Sequence, residues 1–100
     1  MARKNPETLF KEIVQRHLAD IEDLWVVKVQ QVTLRGTPDM LICYKGRFFA
    51  WELKTDVGVA SKLQLHTINK INKAGGVARI VTPSNFQQCW EELLNADQSK

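Results

Sequence analysis

Over residues 6–24 the apolar side chains Leu9, Phe10, Ile13, Val14, Leu18 and Ile21 recur at the spacing that lines one face of a helix. Asn5 is placed to cap that helix and Pro6 stands at its first position. The pattern then changes. Residues 25–34 (WVVKVQQVTL) are rich in β-branched side chains and predict a first strand, which Arg35-Gly36-Thr37-Pro38 breaks. Residues 39–44 and 48–54 predict two further strands, joined through Lys45-Gly46 as a hairpin. A loop over residues 56–60 follows, and Ser61-Lys62-Leu63-Gln64 has the form of a capping box opening a second helix, with Gly75-Gly76 at its far end. Residues 77–82 predict a fourth strand. A third helix over residues 84–94 carries Phe86, Cys89, Trp90, Leu93 and Leu94 on one face, and the last six residues are expected to fray. The order is α-β-β-β-α-β-α, an α/β domain with a mixed sheet flanked by helices.

Composition supports one globular domain over residues 1–100: 44% of the chain is hydrophobic and 25% charged. At this length folding buries roughly 60% of the unfolded surface, enough for a core without staples. Cys43 and Cys89 lie far apart with no metal-ligand spacing, which predicts two buried thiols in a reducing compartment. The polar start and the lack of a long apolar run point to a cytoplasmic protein with no membrane association.

Charge is unevenly placed. Residues 28–79 hold nine Lys/Arg against three Asp/Glu, or +6, whereas the whole chain carries only +3. A basic centre between acidic flanks suits a polyanionic partner, since lysines and arginines displace the counterions condensed on phosphates. Solvated surface charge is the plain alternative.

The hairpin can be registered by arithmetic. A two-residue turn at Lys45-Gly46 makes paired positions sum to 91, so Asp39 faces Glu52. Opposed side chains lie roughly 5 Å apart on one sheet face, where two like charges repel. Lys54, two residues on, projects from the same side. The opposite face, with Met40, Trp51, Ile42, Phe49 and Leu53, is also apolar, so the hairpin is expected to be covered on both sides. Three accounts of the charged end compete. Lys54 can simply neutralise one carboxylate. The carboxylates can hold Mg²⁺, which accepts one or two of them and keeps sites for phosphate oxygens. Or they can be a glycosidase pair, which a lysine at the same spot disfavours.

Gly36-Thr37-Pro38-Asp39, then Glu52-Leu53-Lys54, then Ser61-x-x-Gln64 resembles the PD-(D/E)xK nuclease superfamily, in particular its VRR-NUC (virus-type replication-repair nuclease) branch. The likeness runs over roughly residues 7–94, and the α-β-β-β-α-β-α order is that superfamily's core. It implies an endonuclease that hydrolyses DNA phosphodiesters with Mg²⁺ or Mn²⁺ and no small-molecule cofactor. Asp39, Glu52 and the Leu53 carbonyl would be metal ligands, with Lys54 beside the attacking water. It also implies branched DNA, notably the four-way (Holliday) junction, as substrate, a homodimer to make paired cuts, and a phage or prophage source, hence the host cytoplasm. A monomeric flap, end or sequence-specific nuclease, and a non-catalytic nucleic-acid-binding module, are the alternatives.

The remaining candidates divide by geometry. Gln64 can fold back on Ser61 as the third residue of the capping box, yet it also falls between Ile68 and Ile71 on the helix's inward face. Related nucleases place a first-helix carboxylate near the metal; Glu7 borders the apolar stripe and Glu12 lies almost opposite, which favours Glu7. His17 on the stripe is expected to be a hydrogen-bonded core residue and His66 a surface one. Arg35 and Lys62, flanking the motif, are the first choices for DNA contacts.

Overall fold

The computed structural model describes residues 4–30 and 34–96. Seven elements follow in the order α1 (Pro6–Ala19), β1 (Trp25–Lys28), β2 (Met40–Tyr44), β3 (Arg47–Leu53), α2 (Lys62–Lys73), β4 (Val77–Val81) and α3 (Phe86–Leu94). The strands form one mixed sheet in the order β1-β2-β3-β4; the first three run antiparallel and β4 lies parallel to β3. This is a small α/β fold with three helices.

The β2–β3 register is the one the turn dictates, with Met40 opposite Trp51 and Tyr44 opposite Arg47. Lys45 and Gly46 both have positive φ, 53° and 76°, as a two-residue hairpin turn of the right twist requires. Two layers pack on the sheet. On one face Met40, Ile42, Phe49, Trp51, Leu53, Val77 and Val81 meet Phe10, Val14 and Leu18 of α1 and Cys89 and Leu93 of α3. On the other, Ala50 and Ala78 meet Ile68, with Leu41, Ile71 and Ile80 around them.

That second layer is narrow and depends on α2 alone. Toward β1 the face is open: Trp25, Phe48 and Cys43, which stand in one row across three strands, are all exposed. The expected cover on both sides therefore holds only for the Leu41–Ala50 end of the hairpin, and of the two thiols only Cys89 is buried.

Two elements are shorter than their sequence pattern. α1 stops at Ala19 because Asp20, Glu22 and Asp23 crowd acids at its negative end, and Asp23 turns the chain with φ 59°. β1 stops at Lys28 because its partner runs out: Lys28 pairs with Met40, the Val29 N–H donates to the Asp39 carbonyl (2.7 Å), and before Asp39 come Pro38 and the bend at Gly36. The rest of the expected first strand includes residues 31–33, outside the described residues. At the other end Ala96 is buried at 2% exposure rather than frayed, and the expectation for residues 97–100 falls outside the described residues. Among the described residues no helix is long and apolar enough to cross a membrane.

Candidate active site

Asp39 stands one residue before β2 and Glu52 one residue before the end of β3, so the hairpin register brings both carboxylates to the same end of the sheet. Each is held differently. The Asp39 Oδ2 accepts the Leu53 N–H at 2.9 Å, which fixes its carboxylate against the strand end. Its Oδ1 lies 3.3 Å from the Lys11 ammonium of α1. Glu52 is buried, at 4% exposure, and its Oε2 receives the Gln64 amide at 3.1 Å and sits 3.6 Å from the Lys54 ammonium. The site is thus two acids, two ammoniums and the Gln64 amide, drawn from α1, the hairpin and the segment after it, and the α2 start.

The electrostatics follow from burial. Loss of water and the neighbouring Asp39 charge push the Glu52 carboxyl up to about 7, against the pull of Lys54 and Lys11.

Gln64 serves both of its readings at once. Its Oε1 accepts the Ser61 N–H at 2.9 Å while the Ser61 hydroxyl accepts the Gln64 N–H at 3.1 Å, completing the capping box. With Oε1 committed to the cap, Nε2 is the end that faces Glu52. The cap therefore sets which way the amide points.

Gly36 explains the start of the motif physically. Its φ is +85°, and a Cβ there would stand 2.9 Å from the Leu63 carbonyl oxygen and from the Thr67 hydroxyl. Only glycine lets the loop lie against α2 in that conformation. Pro38, fully buried, then delivers Asp39 to the sheet end.

The other candidates are placed less centrally. Glu7 points to Lys11 at 3.9 Å rather than to the acid pair, and Lys11 stands between it and Asp39. Glu12 is paired with Lys4 at 2.7 Å at the surface, away from the site. Arg35 and Lys62 are exposed and touch neither acid. His17 is hydrogen-bonded to the Ile13 carbonyl at 2.8 Å and packs on Phe86 and Trp90, but it is exposed rather than part of the core; His66 is exposed. Lys11 is the participant that sequence reasoning missed. The available signal was its position four residues after Glu7, on the same edge of the apolar stripe.

A hard divalent cation fits this donor set. Asp39 and Glu52 supply two carboxylates, and the Leu53 carbonyl points to the same side as the Leu53 N–H that reaches Asp39. Among the described residues no group of three or more His, Cys, Asp and Glu side chains is placed to hold a metal. An ion here would have two side-chain ligands, which suffices for Mg²⁺ because it retains water and substrate oxygens.

The chain matches no known family model, no curated protein and no solved structure.

Proposed function

We propose that this chain is a metal-dependent endodeoxyribonuclease of PD-(D/E)xK type, of the VRR-NUC branch, acting on branched DNA such as the four-way junction. The observation that carries the reading is the buried Glu52 facing Asp39, with Lys54 and Gln64 both directed to the same Glu52 oxygen. A simple ion pair needs one acid and one base at the surface; here a second acid stands beside a buried first, and each has its own ammonium, Lys11 on Asp39 and Lys54 on Glu52.

Asp39 and Glu52 would hold Mg²⁺ or Mn²⁺ with the Leu53 carbonyl. When bound, such an ion supplies polarisation of the phosphoryl oxygen and acidification of the attacking water. The chain's own groups do the rest. Leu53 and Gln64 fix the two carboxylates through their N–H donors, so the acids need no rearrangement on binding. Lys54, 17% exposed, is close enough to leave Glu52 for a phosphate oxygen or a developing hydroxide. Lys11, 3.3 Å from the Asp39 Oδ1, occupies the α1 side of that carboxylate and would compete with the ion for it.

The resemblance extends to a homodimer, in which two copies of the Asp39/Glu52/Lys54 set would cut the symmetry-related strands of a junction. A second reading, a nuclease that acts on a flap or a splayed end, is favoured by a cavity along α2 lined by Leu34, Arg35, Leu63, His66 and Lys70. Incubation of labelled duplex, flap and four-way-junction DNA with Mg²⁺, Mn²⁺ or chelator tests the reading. Metal-dependent cutting of a branched substrate supports it; identical products with and without chelator contradict it.

A further inference from the structure

Two cavities meet along one flank of α2. One, about 440 Å³, lies between Leu34 and Arg35 on the loop and Leu63, His66 and Lys70 on the helix. The other, also about 440 Å³, lies between the hairpin turn at Gly46, the Phe48 ring and the helix end at Gly76. Ile71 and Ala74 line both, so the two form one groove. Helical spacing accounts for the continuity: Leu63, Lys70 and Ala74 fall within about 40° of one another on the wheel and span about 16 Å along the axis.

One end of the groove is formed by chain neighbours of the site, although Asp39, Glu52, Lys54 and Gln64 do not themselves line it. Leu63 on one wall directly precedes Gln64, whose amide reaches Glu52, and Arg35 on the other precedes the Gly36-Thr37-Pro38 segment leading into Asp39. Its floor is apolar, with Leu63, Ile71 and Ala74 along it and Phe48, 42% exposed, at the far end. Among the described residues, the charged or titratable ones lining it are Arg35, His66, Lys70 and Arg47, and no Asp or Glu lines either cavity. In a chain with 14 Lys/Arg and 11 Asp/Glu, a lining of one sign marks a site for a polyanion.

We propose that this groove holds an unpaired nucleic-acid strand leading away from the Asp39–Glu52 pair, its bases against the floor and Phe48 and its phosphates toward Arg35 and Lys70. The proposal rests on the nuclease reading and selects its flap or splayed-end form over the four-way junction: a branch with a single-stranded arm is engaged in preference to fully paired DNA. The reason is chemical. In a duplex the base faces are stacked on one another, so the apolar floor gains nothing; in an unpaired strand they are free to pack on Phe48 and the aliphatic side chains. The cations supply the sequence-independent part of the affinity.

Fluorescence anisotropy in chelator, where nothing is cut, tests it with labelled oligothymidylate and a blunt duplex of equal length. The wild type is expected to bind the single strand at least about tenfold more tightly than the duplex. Arg35→Glu/Lys70→Glu is expected to weaken single-strand binding about tenfold or more and to lower its salt dependence by the release of roughly two counterions. Phe48→Ala is expected to weaken it about fivefold, with Phe48→Trp restoring it. Lys28→Glu is the control, since Lys28 pairs with Met40 on the opposite face of the sheet. Equal binding of single strand and duplex, or unchanged affinity in the double variant, overturns the groove assignment while metal-dependent cleavage by the wild type still stands. Absence of oligonucleotide binding by the wild type overturns it too and leaves a protein segment as the occupant. Single-strand binding that the groove variants abolish, with no cleavage of any DNA in Mg²⁺ or Mn²⁺, supports the groove and sinks the nuclease reading alone.

Discussion

Gln64 ties the N-terminal cap of α2 to Glu52: its Oε1 accepts the Ser61 N–H at 2.9 Å and its Nε2 donates to the Glu52 Oε2 at 3.1 Å. One side chain thus closes a helix end and orients a buried acid. Gln64→Glu keeps an acceptor for Ser61 but replaces the donor with a second charge, whereas Gln64→Ala removes both contacts. Gln64→Ala is expected to lose about 1 kcal/mol of stability. Gln64→Glu is expected to keep the helix cap while losing at least about tenfold in cleavage rate, since the acid would no longer be held by a donor. Thermal unfolding and cleavage rates of the two variants separate cap from site.

Glu52 makes stability depend on pH. Its folded value of about 7 lies above the ordinary 4.5, so the folded chain holds this proton more tightly than the unfolded chain does. The corresponding stability is fully present below pH 4.5 and is lost as the pH rises through 7. Glu52→Gln does not titrate. Without metal it is expected to match the wild type in acid and to exceed it above pH 7 by on the order of 2 kcal/mol. Added Mn²⁺ is expected to narrow that gap by stabilising the wild type alone. Parallel pH curves for the two proteins would show that Glu52 is an ordinary paired acid.

Asp39 differs from Glu52 because its carboxylate also accepts a backbone donor. Asp39→Ala strands the Leu53 N–H and leaves Lys11 with Glu7 alone, and is expected to cost about 1–3 kcal/mol. Asp39→Asn retains an oxygen for Leu53 and is expected to cost less, while still abolishing metal-dependent cleavage. Urea unfolding of the two variants checks the order; equal losses would mean that the Leu53 bond contributes nothing.

Lys11 competes with a metal for Asp39. Lys11→Met is expected to tighten Mn²⁺ binding severalfold, measured by calorimetry, because it removes a positive charge 3.3 Å from the Asp39 Oδ1. Glu7→Gln removes the acid that shares this ammonium and is expected to have a smaller effect, and Glu12→Gln none, since Glu12 pairs with Lys4. Weaker Mn²⁺ binding by Lys11→Met would make Lys11 part of the support for the metal ligands rather than their rival.

Most of the element order was legible because local signals agreed with one another: Asn5 and Ser61 do cap α1 and α2, and Lys45-Gly46 sets a hairpin register from which the Asp39–Glu52 apposition follows by counting. What a linear pattern cannot carry is which sheet face a helix leaves open. β1 ends where β2 begins to turn away, and the exposure of Cys43 and Phe48 depends on α2 covering β3 and β4 only. Lys11 was missed for a related reason. Its chemistry arises from a contact between α1 and Asp39, just before β2 and 28 residues later in the chain, and its spacing from Glu7 signals a pair on the helix but not that contact. Both uses of Gln64 were open in sequence; that its oxygen closes the cap while its nitrogen reaches Glu52 depends on where α2 begins against β3.

The most direct test of the central claim is single-turnover cleavage of a flapped or four-way-junction DNA by the wild type, Asp39→Asn and Glu52→Gln, across a titration of Mg²⁺ and Mn²⁺. The account predicts cutting by the wild type that rises with metal and is abolished by chelator, and a loss of at least about a thousandfold in both variants although both remain folded. Cleavage by either variant at the wild-type rate, or no cleavage by the wild type at any metal concentration, would contradict it.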